Sequence, residues 1–222
     1  MIRIPVKTLS LWLAALACLV VPARAEVVLS NLNEIDFNSS LVRSSRWFAQ
    51  SFVTNNNQAW TLTSATLSFD SAQNFSGNLF VNLYSNAKNS PGNSLGTLSG
   101  SDNPASAGQY TYTSNGISLD PSTTYWLVAG VSSGDGVYSW LYTESMASTG
   151  VWSIPSTNTY ASTDDGANTW SLNDGEPFLF SIEATATAPL SVPEIDPNGL
   201  GSVLALVLGS LGLLERRQLK AA

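Results

Sequence analysis

Between residues 26 and 190 apolar side chains recur at every second position over short runs, and Gly, Pro, Asn and Asp break the runs. That period predicts strands with one covered and one wetter face. Asn78–Ser85 is the cleanest case, with Leu79, Val81 and Leu83 on one side and Asn78, Phe80, Asn82 and Tyr84 on the other. Thr61–Phe69 alternates Ser and Thr with Leu62, Ala65, Leu67 and Phe69, and its single slip predicts a bulge. Arg46–Thr54 places Trp47 and Phe48 out of phase, so each face of that strand carries a ring. Val27–Leu29 opens the series, followed by a polar loop around Asn38. Ser90-Pro91-Gly92-Asn93 reads as a turn. Tyr110–Thr113 is expected to fold back through Asn115-Gly116 onto Ile117–Leu119 as a hairpin.

After a turn at Asp120-Pro121-Ser122 comes Thr124–Val131 (TYWLVAGV), the most apolar strand of the body. Gly134-Asp135-Gly136 predicts a tight connection into Val137–Tyr142, and Val151-Trp152, Asn168–Leu172 and Phe178–Ile182 complete the set. No stretch of this body carries a helical period. Short strands with frequent turns predict an all-β fold, an antiparallel β-sandwich of jelly-roll-like form.

The two ends have a different pattern. Arg3 and Lys7 precede an apolar stretch from Leu9 to Val21, and Ala23-Arg24-Ala25 places small residues where a signal peptidase reads them. Residues 1–25 therefore read as a secretory signal peptide cleaved before Glu26. Cys18, the only cysteine, belongs to the hydrophobic stretch, because Leu19, Val20 and Val21 follow it where a lipoprotein would continue into a polar tether. Residues 191–222 divide into a Pro/acidic turn over 192–199, an apolar run over 200–214 and a basic end over 215–222. Pro193 and Pro197 withhold two backbone donors and keep the turn extended. The run from Leu200 to Leu214 would be helical in lipid, yet its fifteen residues fall short of a comfortable span, which takes about 20. Arg216, Arg217 and Lys220 would hold that end on the cytoplasmic side. A turn to grip, a weak stop-transfer helix and a basic latch make a sorting tail; an anchor kept uncut is the alternative.

Pro193, Glu194, Ile195, Asp196, Pro197, Arg216 and Arg217 carry a resemblance to the PEP-CTERM signal of Gram-negative bacteria. The departure is Ile195, where the motif has its second proline; that proline comes later, at Pro197. The resemblance implies export, transient membrane anchoring and processing by an exosortase. In the body, WFAQSF at Trp47–Phe52, the pair TLTSATLSF and GNLFVNLYS, SPGNSLGTLSG at Ser90–Gly100 and LDPSTTYWLVAG at Leu119–Gly130 look like the choice-of-anchor R domain. The likeness spans most of Glu26 to Tyr142. It implies an extracellular β-domain and no catalytic site.

Composition narrows the chemistry. The chain has no His, and 16 acidic against 9 basic residues give a net charge of −7. Within 26–190 the cations are Arg43, Arg46 and Lys88, a surface that repels phosphate backbones and anionic lipid, so nucleic acid is not an expected partner and the membrane is met only through the tail. Without His, and without Cys in the body, Ser-His-Asp and Cys-His machinery and His/Cys-held zinc are excluded there. No cofactor is expected beyond a candidate structural Ca²⁺.

Two constellations stand out. Asp164, Asp165, Asp174 and Glu176 sit in Gly-containing loops, and three readings remain open: solvated turn carboxylates, a Ca²⁺ site, or the paired acids of a glycosidase. Tyr138, Trp140 and Tyr142 share one face of a strand. They form either a ladder that stacks on the sugar rings of an exopolysaccharide or part of the core. The function expected from sequence is a secreted, non-catalytic surface or matrix protein.

Overall fold

The computed structural model describes residues 24–55, 58–70 and 77–187. The expected signal peptide, apart from Arg24 and Ala25, and the expected sorting tail, including Pro193, Glu194, Ile195, Asp196, Pro197, Arg216 and Arg217, lie outside the described residues. Within them the chain is all-β and its pairings are antiparallel. The strands are β1 (Ala25–Ser30), β2 (Asn38–Val42), β3 (Trp47–Val53), β4 (Trp60–Phe69), β5 (Gly77–Ala87), β6 (Ser90–Leu98) and β7 (Gly108–Leu119). They continue with β8 (Thr124–Gly134), β9 (Tyr138–Tyr142), β10 (Thr149–Gly150), β11 (Tyr160–Thr163), β12 (Ser171–Asn173) and β13 (Phe180–Ala186). One sheet has the order β10-β1-β13-β4-β9-β2, with β7 on β4. The other has the order β12-β11-β3-β8-β5-β6.

The period-two pattern explains the core between them. Leu62, Ala65, Leu67 and Phe69 from β4, Ile182 and Ala184 from β13, and Val28 and Leu29 from β1 meet Phe48 and Phe52 of β3, Leu79, Val81 and Leu83 of β5, and Tyr125 and Leu127 of β8 in one buried cluster. The sheets also join by hydrogen bonds at two corners. Ser99 and Thr113 exchange backbone bonds, linking the end of β6 to β7. Val53 and Ser153 do the same beyond β3. These bonds occupy edge groups that would otherwise invite pairing with another chain.

Several boundaries differ from expectation. Asn38 begins β2, which pairs with β9, instead of lying in a loop. The turn between β5 and β6 is at Lys88-Asn89, both with positive φ (55° and 66°), as a two-residue hairpin requires. Ser90–Asn93 is therefore strand, and Pro91 is tolerated because β6 is an edge. Tyr110–Thr113 and Ile117–Leu119 do not pair with each other. Both lie along β4, and Ser114–Gly116 bulges out between them. The Ser114 hydroxyl accepts the Gly116 and Ile117 N–H groups, and Gly116 adopts φ +90°. The long apolar face of β4 covers more of β7 than a self-contained hairpin could. The bulge expected in β4 is present at Thr63, between Leu62 and Ser64, where β4 pairs with β13.

Near the end of the described chain, Trp152 falls just past the strand β10 and β11 appears where none was expected. Trp152 stacks on Phe52 at 5.6 Å and meets Trp60 edge-on at 5.7 Å, joining the two sheets.

Candidate functional site

The ladder of Tyr138, Trp140 and Tyr142 faces inward. Tyr138 is 1% exposed and Trp140 0%. Trp140 lies 4.3 Å from Phe178 in a stacked pair, and its Nε1–H donates to the Leu179 carbonyl at 3.1 Å. Tyr138 donates its hydroxyl to the Gly77 carbonyl, with Asn103 Oδ1 at 3.1 Å. Burial raises its pKa, and the charge of Asp102 adds to that. Only Tyr142 keeps part of its surface. Of the two readings of these positions, the core one holds for Tyr138 and Trp140, so the three do not form an exposed glycan-stacking ladder. Val137 and Leu141 do not displace the rings, because β9 lies beside β2 and β4 and its larger side chains fill the gap above Phe178.

The four loop carboxylates have separate tasks. Asp164 pairs with Arg46, Oδ1 to Nε at 2.9 Å, with both side chains well exposed; such a pair contributes roughly 0–1 kcal/mol. Asp174 Oδ1 accepts the Asn158 N–H at 2.6 Å and fixes the loop before β11. Glu176 borders a cavity of about 50 Å³ with Ser40, Tyr142, Tyr160 and Phe178. Burial raises the pKa of Tyr142 and Tyr160, and Glu176 is the next cause for both. Two sequence candidates, Tyr142 and Glu176, thus come together here. Among the described residues no three His, Cys, Asp or Glu side chains converge as metal ligands.

Asp165 organises its own loop. Its carboxylate accepts the Thr163 hydroxyl at 2.6 Å, the Thr169 hydroxyl at 2.7 Å, and the Asn168 and Thr169 N–H groups at 3.1 and 2.9 Å. Bonds from the Thr163 and Thr169 side chains and from the Thr169 backbone hold its pKa down to about 2. The folded value is depressed, so its contribution is present above the ordinary value near 3.8 and is lost as pH falls through about 2. Asp165→Asn should lower the melting temperature at pH 7, and the gap to wild type should close between pH 4 and 2. A gap of constant size over that window would refute the assignment.

The constellation that sequence reasoning missed is on the outer face of the six-stranded sheet. Trp47, Phe80 and Trp170 pack over Ala49, Tyr84, Trp126, Val128 and Ala161, a second hydrophobic cluster apart from the main core. Cross-strand register explains it. Phe80, Asn82 and Tyr84 on β5 lie opposite Gly130, Val128 and Trp126 on β8. Ala49 lies opposite both Val128 and Ala161. Trp47 meets Phe80 edge to face at 4.8 Å, and Tyr84 meets Trp170 at 6.4 Å. Gly130 makes room for the first pair: a Cβ there would sit 2.5 Å from Phe80 and 2.7 Å from Trp47.

The sequence signal was the two-sided TYWLVAGV run, which requires cover on both faces of β8. Trp47, Phe80, Asn82 and Trp170 remain partly exposed, while Asn82 Oδ1 and the indole nitrogens of Trp47 and Trp170 are buried without a hydrogen-bond partner. Compared with known proteins, the chain matches no family model and no curated protein.

Proposed function

We propose that this chain is a secreted, non-catalytic component of the cell surface or extracellular matrix of a Gram-negative bacterium, built on a jelly-roll-like β-sandwich of the choice-of-anchor R type. The signal peptide directs export, the tail from residue 191 anchors the chain transiently, and an exosortase processes it. The observation that carries the structural role is the aromatic cover on both faces of the six-stranded sheet, with Phe52 and Trp152 on one side and Trp47, Phe80 and Trp170 on the other. Covering both faces makes a stiff block whose cohesion needs no disulfide, and residues 26–190 contain no cysteine. The body's low charge and Ser/Thr-rich outer strands, with Thr66 and Thr111 hydroxyls 2.8 Å apart across β4 and β7, suit a hydrated matrix.

Intact mass of the protein recovered from its own cell surface or medium tests this. The expected species begins at Glu26 and ends upstream of Leu200. Full-length chain in the cytosolic fraction, with both ends retained, would overturn the reading. Ile195→Pro, which restores the usual motif, should leave the product's size unchanged or sharpen it to a single species.

A further inference from the structure

We propose that the outer aromatic face of the six-stranded sheet binds a neutral saccharide, with Trp47, Phe80 and Trp170 as the stacking surface and Asn82 as the polar anchor. The structural role above does not require this, and the face is separate from the buried Tyr138–Tyr142 ladder.

Three observations converge on that ligand class. The rings are partly exposed and packed over Ala49, Tyr84, Trp126, Val128 and Ala161, and Trp47 and Phe80 stand at 86° to each other, so they present an angled apolar corner. Aromatic faces of this kind cover the C–H face of a sugar ring. Next, Asn82 Oδ1 seeks a donor, whereas Trp47 Nε1–H and Trp170 Nε1–H seek acceptors. A hydroxyl group is both donor and acceptor, and a saccharide displays several beside its apolar face. Finally, the neighbouring charges Arg46 and Asp164 neutralise each other at 2.9 Å, and the Asp165 carboxylate on the loop before Trp170 disfavours an anionic ligand.

Two of the unpartnered atoms belong to the rings themselves and the third to Asn82 beside them, and each is unfavourable while it stays buried and unmet. Trp170 packs against this cluster beside Tyr84, and it is carried by the loop that Asp165 ties together, outside the regular strands. Rearrangement of these rings on binding exchanges orphaned groups for bonds to ligand hydroxyls. Recognition therefore couples ring stacking to the release of a poorly satisfied closed face.

The test is native affinity electrophoresis of the full chain, in a zwitterionic detergent, through gels containing hydroxyethylcellulose, a β-1,3-glucan, a galactomannan or dextran. Wild type should be retarded by at least one of them. Asn82→Leu, close in shape and without the unmet acceptor, should bind at least tenfold more weakly with an unchanged or higher melting temperature. Trp47→Phe, which keeps a ring but loses the indole N–H, should bind more weakly at a comparable melting temperature. Free migration of wild type in all four gels would overturn the proposal, as would undiminished retardation of Asn82→Leu. Either result leaves export and tail processing untouched, since those are read from the mass of the secreted product.

Discussion

Trp140→Ala is expected to remove a large share of the stability of the fold. Trp140 has no exposed surface, stacks on Phe178 at 4.3 Å and lies 6.5 Å from Phe69, so truncation opens a cavity where β9, β4 and the entry to β13 meet. Substitutions of this kind cost about 3–5 kcal/mol, against a total of about 5–15 kcal/mol for a domain. Trp140→Phe separates packing from hydrogen bonding. The Leu179 carbonyl loses the indole donor but keeps the Ser68 N–H at 3.1 Å, so no group is orphaned and the loss should be a small fraction of that for alanine. Urea unfolding followed by Trp fluorescence would show the ordering. An alanine variant with a wild-type midpoint would mean that Trp140 does not sit in the core. The same substitution would have tested sugar binding had the ladder faced solvent; its burial makes it a test of the fold.

Period-two alternation was legible wherever a strand had one covered face: β4 and β5 follow their sequence patterns, including the slip at Leu62–Ser64. It failed where the deciding contact was distant in sequence. Asn38–Val42 is too polar to announce a strand, and it becomes one because β9 offers it an edge. Asn115-Gly116 has the residues of a hairpin turn, yet β4 competes for both arms and leaves a bulge. The ladder at Tyr138, Trp140 and Tyr142 was correctly placed on one face, but alternation alone does not say which face is the core. For the carboxylates, sequence spacing put Asp164 beside Asp165. Only the fold shows that the first reaches out to Arg46 while the second turns back on its own loop. The outer aromatic face was half visible in Phe80 and Tyr84; what brought Trp47 and Trp170 to it is strand order, which no local pattern encodes.

Asn31→Leu should be the second most damaging change, for a reason unrelated to apolar burial. Asn31 is 2% exposed, its Nδ2 donates to the Phe178 carbonyl at 2.9 Å, and its Oδ1 accepts the Phe180 N–H at 2.8 Å. The backbone here emerges from a turn in which Gly175 and Glu176 both have positive φ, so it enters β13 out of regular ladder geometry. A side-chain amide completes the bonding that the sheet cannot. Leucine would fill similar space and leave two buried backbone groups unmet, at about 1–3 kcal/mol each. Gln50 makes the informative comparison. Its Oε1 accepts the Phe178 N–H at 2.8 Å and its Nε2 donates to the Thr159 carbonyl at 2.9 Å. That carbonyl also receives the Ser51 N–H and hydroxyl, but Gln50 Nε2 donates to the Ser51 carbonyl at 2.9 Å as well, so Gln50→Leu abandons the Phe178 N–H and the Ser51 carbonyl and should cost about as much as Asn31→Leu. Both amides grip Phe178, and the double variant should lose less than the sum of the two single losses. Urea midpoints of the two single variants and the double variant decide the matter: a near-wild-type midpoint for either single variant, or strict additivity, would show that the amides act as filler and not as backbone partners.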